Sequence, residues 1–223
     1  MTTHLIDTTE MYLRTVWELE EEGIPPIRAR LVERLGLSAP AVSETVARLE
    51  HEGLMHVSDD RTIELSDKGR HLATSVMRKH RLAELLLTDV IGLEWEQVHN
   101  EACRWEHVIS DAVEQRLIEL LHEPTICPHG NPIPNMDETP AAPVTLQTMT
   151  QAARDGAVVQ LERISEKLQG DVTAMKFLRT SGLQPGVTTV LRAADGNVVA
   201  DVDGRAVIVP GPTADHVYVQ PAA

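Results

Sequence analysis

Aromatic side chains are scarce in this chain of 223 residues, with one Phe, two Tyr and three Trp, so aliphatic residues must fill most of the interior. Cysteine is scarcer for its size. Cys103 and Cys127 are the only two, which is no disulfide framework for a chain of this length, and both thiols are expected to be reduced. No apolar run approaches the roughly 20 residues that span a bilayer, and the opening segment is broken by Asp7, Glu10, Arg14 and Glu18. A soluble cytosolic protein is the expectation. Positive charge is also short: 20 Lys and Arg against 34 Asp and Glu leave a net charge of -14, which opposes attraction of the whole chain to a polyanion. Between Ile24 and Leu49, however, Arg28, Arg30, Arg34 and Arg48 stand against only Glu33 and Glu44. That segment is locally basic.

From Thr8 to Glu22 the apolar residues Met11, Tyr12, Val16 and Leu19 recur at helical spacing behind Asp7 or Thr8 as N-cap, and Gly23 with Pro25 and Pro26 ends the helix. A second helix over Arg28 to Leu35 breaks at Gly36, and Ser38 caps a third that carries Val42, Val46 and Leu49 on one stripe. Two short helices across a glycine turn predict a helix-turn-helix. The runs Leu54 to Val57 and Thr62 to Leu65, joined by a polar turn, predict a hairpin wing. One long helix is then expected from Ser66 or Asp67 to about Leu87, and a second from Trp95 to about Leu121. Between Glu123 and Gly156 six prolines and no sustained period mark a linker. Beyond it, the β-branched runs Val158 to Leu161, Val187 to Leu191, Val198 to Val202 and Ala206 to Val209, with turns at Asp195-Gly196 and Asp203-Gly204, predict a small β-barrel.

The densest chemistry is His99-x3-Cys103-x2-Glu106-His107. All four residue types bind transition metals, and on one helix they would span an arc of roughly 100 degrees. His80 and Glu84, at i and i+4 on the preceding helix, share a face and can approach His99 if the helices pack antiparallel. A single His/Glu pair is ordinary on an amphipathic surface; six ligating residues on two faces are not. Mixed thiol, imidazole and carboxylate donors suit Fe(II) or another late first-row divalent ion better than magnesium or calcium. No His-Glu-x-x-His signature or nucleophile motif accompanies them, so catalysis is not expected. Cys127 and His129 are close in the linker, but no second pair lies near them in sequence and they read as incidental.

The strings Asp7-Thr-Thr-Glu-Met-Tyr-Leu-Arg14, Val76-Met-Arg-Lys-His-Arg-Leu-Ala-Glu84, Glu101-Ala-Cys-Arg-Trp-Glu-His-Val108 and Gly130-Asn-Pro-Ile-Pro134 resemble the diphtheria toxin repressor and iron-dependent regulator family of actinobacterial metalloregulators. The resemblance spans the whole chain. It implies a mainly α protein with a small β domain: a winged helix-turn-helix (residues 1–73), a helical metal-binding and dimerisation domain (74–140), a linker (141–156) and a C-terminal SH3-like β-barrel (157–223). It implies two metal sites per subunit. One would comprise His80, Glu84 and His99 with Glu166 and Gln169, the other Met11, Cys103, Glu106 and His107. Fe(II) is the expected cofactor, with Mn, Co, Ni or Zn able to substitute.

The expected function is that of a cytoplasmic, metal-activated homodimer that represses iron uptake and homeostasis genes by binding double-stranded operator DNA. The helix beginning at Ser38 would enter the major groove, with Pro40 able to touch a thymine methyl. Arg28, Arg30, Arg48 and Arg61, with Ser38 and Ser43, would contact phosphates. Glu44 departs from the glutamine typical of the family; it can only accept, which favours a cytosine amino group and repels phosphate. A manganese-responsive regulator of the same fold is the nearest alternative, and a metal-storage protein or metalloenzyme is the alternative from another class.

Overall fold

The computed structural model describes residues 7–136 and 146–222. Residues 141–145 of the expected linker, with Pro140 and Pro143, lie outside the described residues, as do residues 1–6 and 223. The chain divides into two units, one of residues 1–80, 103–115 and 134–143, the other of 81–102, 116–133 and 144–223.

The first unit opens with three helices, α1 (Thr8–Glu21), α2 (Arg28–Leu35) and α3 (Ala39–His51), followed by the hairpin β1 (Met55–Val57) and β2 (Ile63–Leu65). Local chemistry sets their limits. The Asp7 carboxylate accepts from the Thr9 and Glu10 amides and starts α1; α2 stops at Gly36 in the left-handed conformation; the Ser38 hydroxyl accepts from Ala41 N and starts α3. Leu13, Val16 and Leu19 of α1, Leu31 of α2 and Val42, Val46 and Leu49 of α3 close over Ile63 in one buried cluster. Burying each such side chain contributes about 1.5–3 kcal/mol. β1 and β2 pair antiparallel, His56 opposite Glu64. This is a winged helix-turn-helix.

Helix α4 (Asp67–Leu85) carries the chain from the first unit into the second and continues as a π-helical stretch, Leu86–Ile91. There the Thr88 hydroxyl donates to the Glu84 carbonyl at 2.8 Å, and Gly92 in left-handed conformation ends the run. The single helix expected from Trp95 to Leu121 is two: α5 (Val98–Trp105) and α6 (Asp111–Leu120). Ser110 accounts for the break, its hydroxyl and carbonyl accepting from Val113 N and Glu114 N to start α6 afresh. Glu106 and His107 therefore occupy the turn after α5 and are not on its face.

The expected linker also contains structure: β3 (Gln147–Thr148) leads into α7 (Met149–Ala153) through a Thr148/Gln151 capping box. The remaining elements are β4 (Val158–Ile164), α8 (Glu166–Gln169), α9 (Val172–Thr180), β5 (Thr188–Ala194), β6 (Asn197–Val202), β7 (Arg205–Val209), α10 (Gly211–Ala214) and β8 (Val217–Pro221). The six-stranded antiparallel sheet runs β3-β8-β4-β5-β6-β7. Asp195-Gly196 and Asp203-Gly204 all have positive φ, as tight two-residue hairpin turns require. Leu161, Leu191, Val198, Ala200, Val209 and Val217 fill the core of this domain. No helix of the described residues is long and apolar enough to cross a membrane.

Candidate metal centre

In the first unit, Cys103 from α5 and Glu106 and His107 from the following turn meet α1. Glu106 is 3% exposed. Its carboxylate takes Arg14 Nη1 at 2.7 Å from each oxygen and shares a 2.6 Å hydrogen bond with His80 Nδ1. The same Arg14 nitrogen stands 3.4 Å from Cys103 Sγ, and Arg14 Nε donates to Glu18 at 2.6 Å. His107 Nδ1 pairs with Glu10 at 2.6 Å, and its Nε2 lies 3.3 Å from Glu106. Burial pushes the Glu106 carboxyl upward, but the Arg14 charge and the His80 hydrogen bond override it and take its pKa down to about 2. For His107 burial acts downward, and the Glu10 hydrogen bond with the nearby carboxylates raises it on balance. Met11, partly buried against the core, lies on α1 between Glu10 and Arg14, the two residues that reach this turn.

In the second unit, α4, α5 and α8 bring Glu84, His99 and Glu166 together, with ligating atoms within 4.8 Å of one another. His99 Nδ1 is 3.4 Å from Glu84 and 3.3 Å from Glu166. Ser165 accepts from Leu168 N to start α8, which turns Glu166 and Gln169 inward, both buried. Gln169 Nε2 donates to Ile164 O at 2.7 Å, while its buried Oε1 finds no hydrogen-bond partner among the described residues. An oxygen left so is costly to bury and suits a cation ligand. His80 stands one turn before Glu84 on α4, its Nδ1 engaged by Glu106.

Sequence reasoning missed five contributors. Arg81, fully buried, donates to Glu166 at 3.0 and 3.1 Å and to the Pro132 carbonyl. Cys127 and His129, read as incidental, form a second buried donor group with Glu84, again within 4.8 Å, and His129 Nδ1 lies 3.2 Å from the Glu84 carboxylate. Burial, with the Glu84 charge, holds the Cys127 thiol well above its ordinary pKa. The Cys-x-His spacing was the available signal. Arg14 and Glu10 had none beyond helical position.

On the DNA-reading candidate, Ser38, Pro40, Ser43, Glu44 and Arg48 are all exposed, Arg28 half-buried at the start of α2, and Arg30 and Arg61 exposed. Ser38 accepts from Ala41 N at 3.4 Å as the cap of α3. Arg30 pairs with Glu33 at 2.9 Å and Arg48 with Glu52 at 2.7 Å, both in solvent. Arg61 takes φ of 73° at the tip of the wing.

A family model described as the N-terminal DNA binding domain of iron dependent repressors matches residues 4–63, and one described as their metal binding and dimerisation domain matches residues 66–135. The chain is 47% identical over 214 residues to the iron-dependent repressor IdeR of Mycobacterium tuberculosis, covering 93% of this chain and 90% of that protein. It is 46% identical over 206 residues to the diphtheria toxin repressor of Corynebacterium diphtheriae, covering 90% and 91%. A solved manganese-dependent transcriptional repressor in complex with manganese has a TM-score of 0.83 at 30% identity, covering 96% of this chain and 100% of that one. With its helix-turn-helix, its buried thiol, imidazole and carboxylate donors and these relatives, the chain belongs to the iron-dependent repressor family.

Proposed function

We propose that this chain is an iron(II)-activated transcriptional repressor that works in the cytoplasm, binds operator DNA as a homodimer and catalyses no reaction. One observation carries the proposal: the group of Cys103, His107 and the buried Glu106 is held against Glu10 and Arg14 of α1, and α1 packs its apolar face on the helix-turn-helix. Whatever binds this group acts on the helix that supports the DNA-reading head. Residues 1–73 are then the DNA-binding domain, 74–140 the metal-binding and dimerisation domain, and 157–223 the SH3-like domain, to which β3 and α7 of the expected linker 141–156 also belong.

Met11, Cys103, Glu106 and His107 would hold one divalent ion, and Glu84, His99, Glu166 and Gln169, with His80, a second. A bound ion supplies concentrated positive charge that joins ligands remote in sequence. The protein's part is orientation. Glu10 aims the His107 ring through its hydrogen bond, and Ile164 O fixes the Gln169 amide so that its oxygen faces inward. Shifting a conformational equilibrium from 1:99 to 99:1 needs about 5.5 kcal/mol of differential affinity, within reach of several coordinating side chains.

Exposed Pro40 and Glu44 on α3 would meet base edges, while Arg28, Arg30, Arg48 and Arg61, with Ser38 and Ser43, would meet phosphates. Solvent-exposed pairs such as Arg30 with Glu33 are worth at most about 1 kcal/mol, so they can be exchanged for phosphate at little cost. Replacing Glu44 by Gln should shift base preference in a selection from random duplexes; an unchanged preference would remove Glu44 from the reading set.

The manganese-dependent relative raises a second reading. Mn(II) sites favour carboxylates, whereas Cys103 and Met11 are soft donors that favour Fe(II). Anaerobic titration of each ion against DNA-binding anisotropy should show Fe(II) activating at the lower concentration. Equal or better activation by Mn(II) would reassign the ion.

A further inference from the structure

Arg14 occupies a peculiar position. One of its guanidinium nitrogens lies 2.7 Å from both oxygens of the buried Glu106 and 3.4 Å from Cys103 Sγ, while Nε is held by Glu18 at 2.6 Å. Glu18 and Glu106 both pair with Arg14, while nearby Glu10 pairs with His107. A buried carboxylate without a counter-charge is costly, and a guanidinium cannot shed its proton at any working pH. It must stay charged where it is, or move.

We propose that Arg14 is a resident surrogate cation for the Cys103–Glu106–His107 group, displaced onto Glu18 when a divalent ion enters. The inference rests on the reading of this group as a metal site. Metal–oxygen and metal–sulfur bonds of about 2.0–2.3 Å would put an ion serving Cys103 and Glu106 in the space that the Arg14 nitrogen now fills. Both cannot remain. Glu18, one turn along α1 and 7% exposed, already grips the far side of the guanidinium and is placed to keep it when Glu106 lets go. The tether between α1 and the Cys103 turn would then pass from Arg14 to Met11, roughly 4.5 Å along the helix axis at 1.5 Å per residue. Metal affinity is thereby set by an internal competitor as well as by the ligands, and occupancy is converted into a change in how α1 is held.

The test is anaerobic titration of the full-length protein with Co(II), followed by the thiolate-to-cobalt charge-transfer absorption that Cys103 would contribute at this group. Arg14→Gln should tighten Co(II) binding about tenfold or more, the scale set by losing a competing charge-assisted hydrogen bond, and should lower the melting temperature of the metal-free protein. Glu18→Gln, which removes the alternative berth without touching a ligand, should weaken Co(II) binding severalfold. The double variant should bind like Arg14→Gln alone. If folded Arg14→Gln binds Co(II) as wild type does or more weakly, Arg14 supports the site and does not compete for it, and the surrogate role is overturned. If instead wild type and Cys103→Ala give the same absorption, the group is not the metal site, and the underlying reading fails together with this one.

Discussion

Glu10 and His107 share a hydrogen bond of 2.6 Å, the carboxylate–imidazole arrangement that fixes the aim and tautomer of a ligating ring. Losing such a partner costs about 10–100-fold in metal affinity, so Glu10→Gln should weaken Co(II) binding by that amount with little change in helix content. A calorimetric titration that finds wild-type affinity would leave Glu10 without this role. Its sign is opposite to that expected for Arg14→Gln, although the two residues lie one turn apart on the same helix. Sequence could not separate them. Glu10 reads as an acidic first-turn residue and Arg14 with Glu18 as an ordinary i, i+4 pair, because what distinguishes them is the buried turn they reach, which is distant in the chain. His99, Cys103, Glu106 and His107 were legible because their types and spacing are unusual together. Cys127 and His129 were not, since the carboxylate that completes their group, Glu84, comes from another element.

Elements were legible where their limits are local. Asp7, Gly36 and Ser38 act within three residues of their own helix ends, and Asp195-Gly196 and Asp203-Gly204 turn their hairpins by φ alone. The break between α5 and α6 was lost because good helix formers flank it on both sides, although His107, Val108, Ile109 and Ser110 at the break are weaker ones. β8 also escaped, being secured by pairing with β3 and β4, and so did α8 and α9, although Ser165 and Asp171 cap them locally. Packing at two glycines is as decisive. A Cβ on Gly69, in the first turn of α4, would lie 1.9 Å from Leu54 O, so Gly69→Ala should destabilise the first unit by about 2 kcal/mol or more, read from urea unfolding. A wild-type midpoint would mean that the turn adjusts freely. Gly130 combines φ of 84° with a Cβ position 1.9 Å from Glu162 O, and it turns the chain that carries Cys127 and His129.

Within the second unit, Glu96 receives two hydrogen bonds from Arg179 of α9, at 2.7 and 2.9 Å. That hydrogen bonding lowers the Glu96 pKa below its usual 4.5. A carboxyl depressed on folding contributes stability that is fully present above its unfolded value and is lost as pH falls through the folded one. Melting temperatures of wild type and Glu96→Gln should therefore differ at pH 7 and converge as pH drops below about 4.5. Parallel curves down to pH 3 would deny the linkage.

At the scale of the molecule, the net charge of -14 keeps nonspecific attraction to DNA weak, so binding must come from a locally basic head presented in a favourable state. The domain order was legible because hydrophobic period and β-branched content change along the chain; the structure of residues 147–153 inside the proline-rich stretch was not, since β3 pairs with β8 at the far end of the sequence. The central claim is that occupancy of the Cys103 group licenses DNA binding. Its most direct test is fluorescence anisotropy of a labelled duplex, selected from random sequence by the Fe(II)-loaded protein, measured anaerobically before and after chelation for wild type and Cys103→Ala. Wild type should bind only with the ion and release the duplex on chelation, and Cys103→Ala should fail to bind at the same Fe(II) concentration. Binding by wild type that survives chelation, or equal binding by Cys103→Ala, would contradict the account.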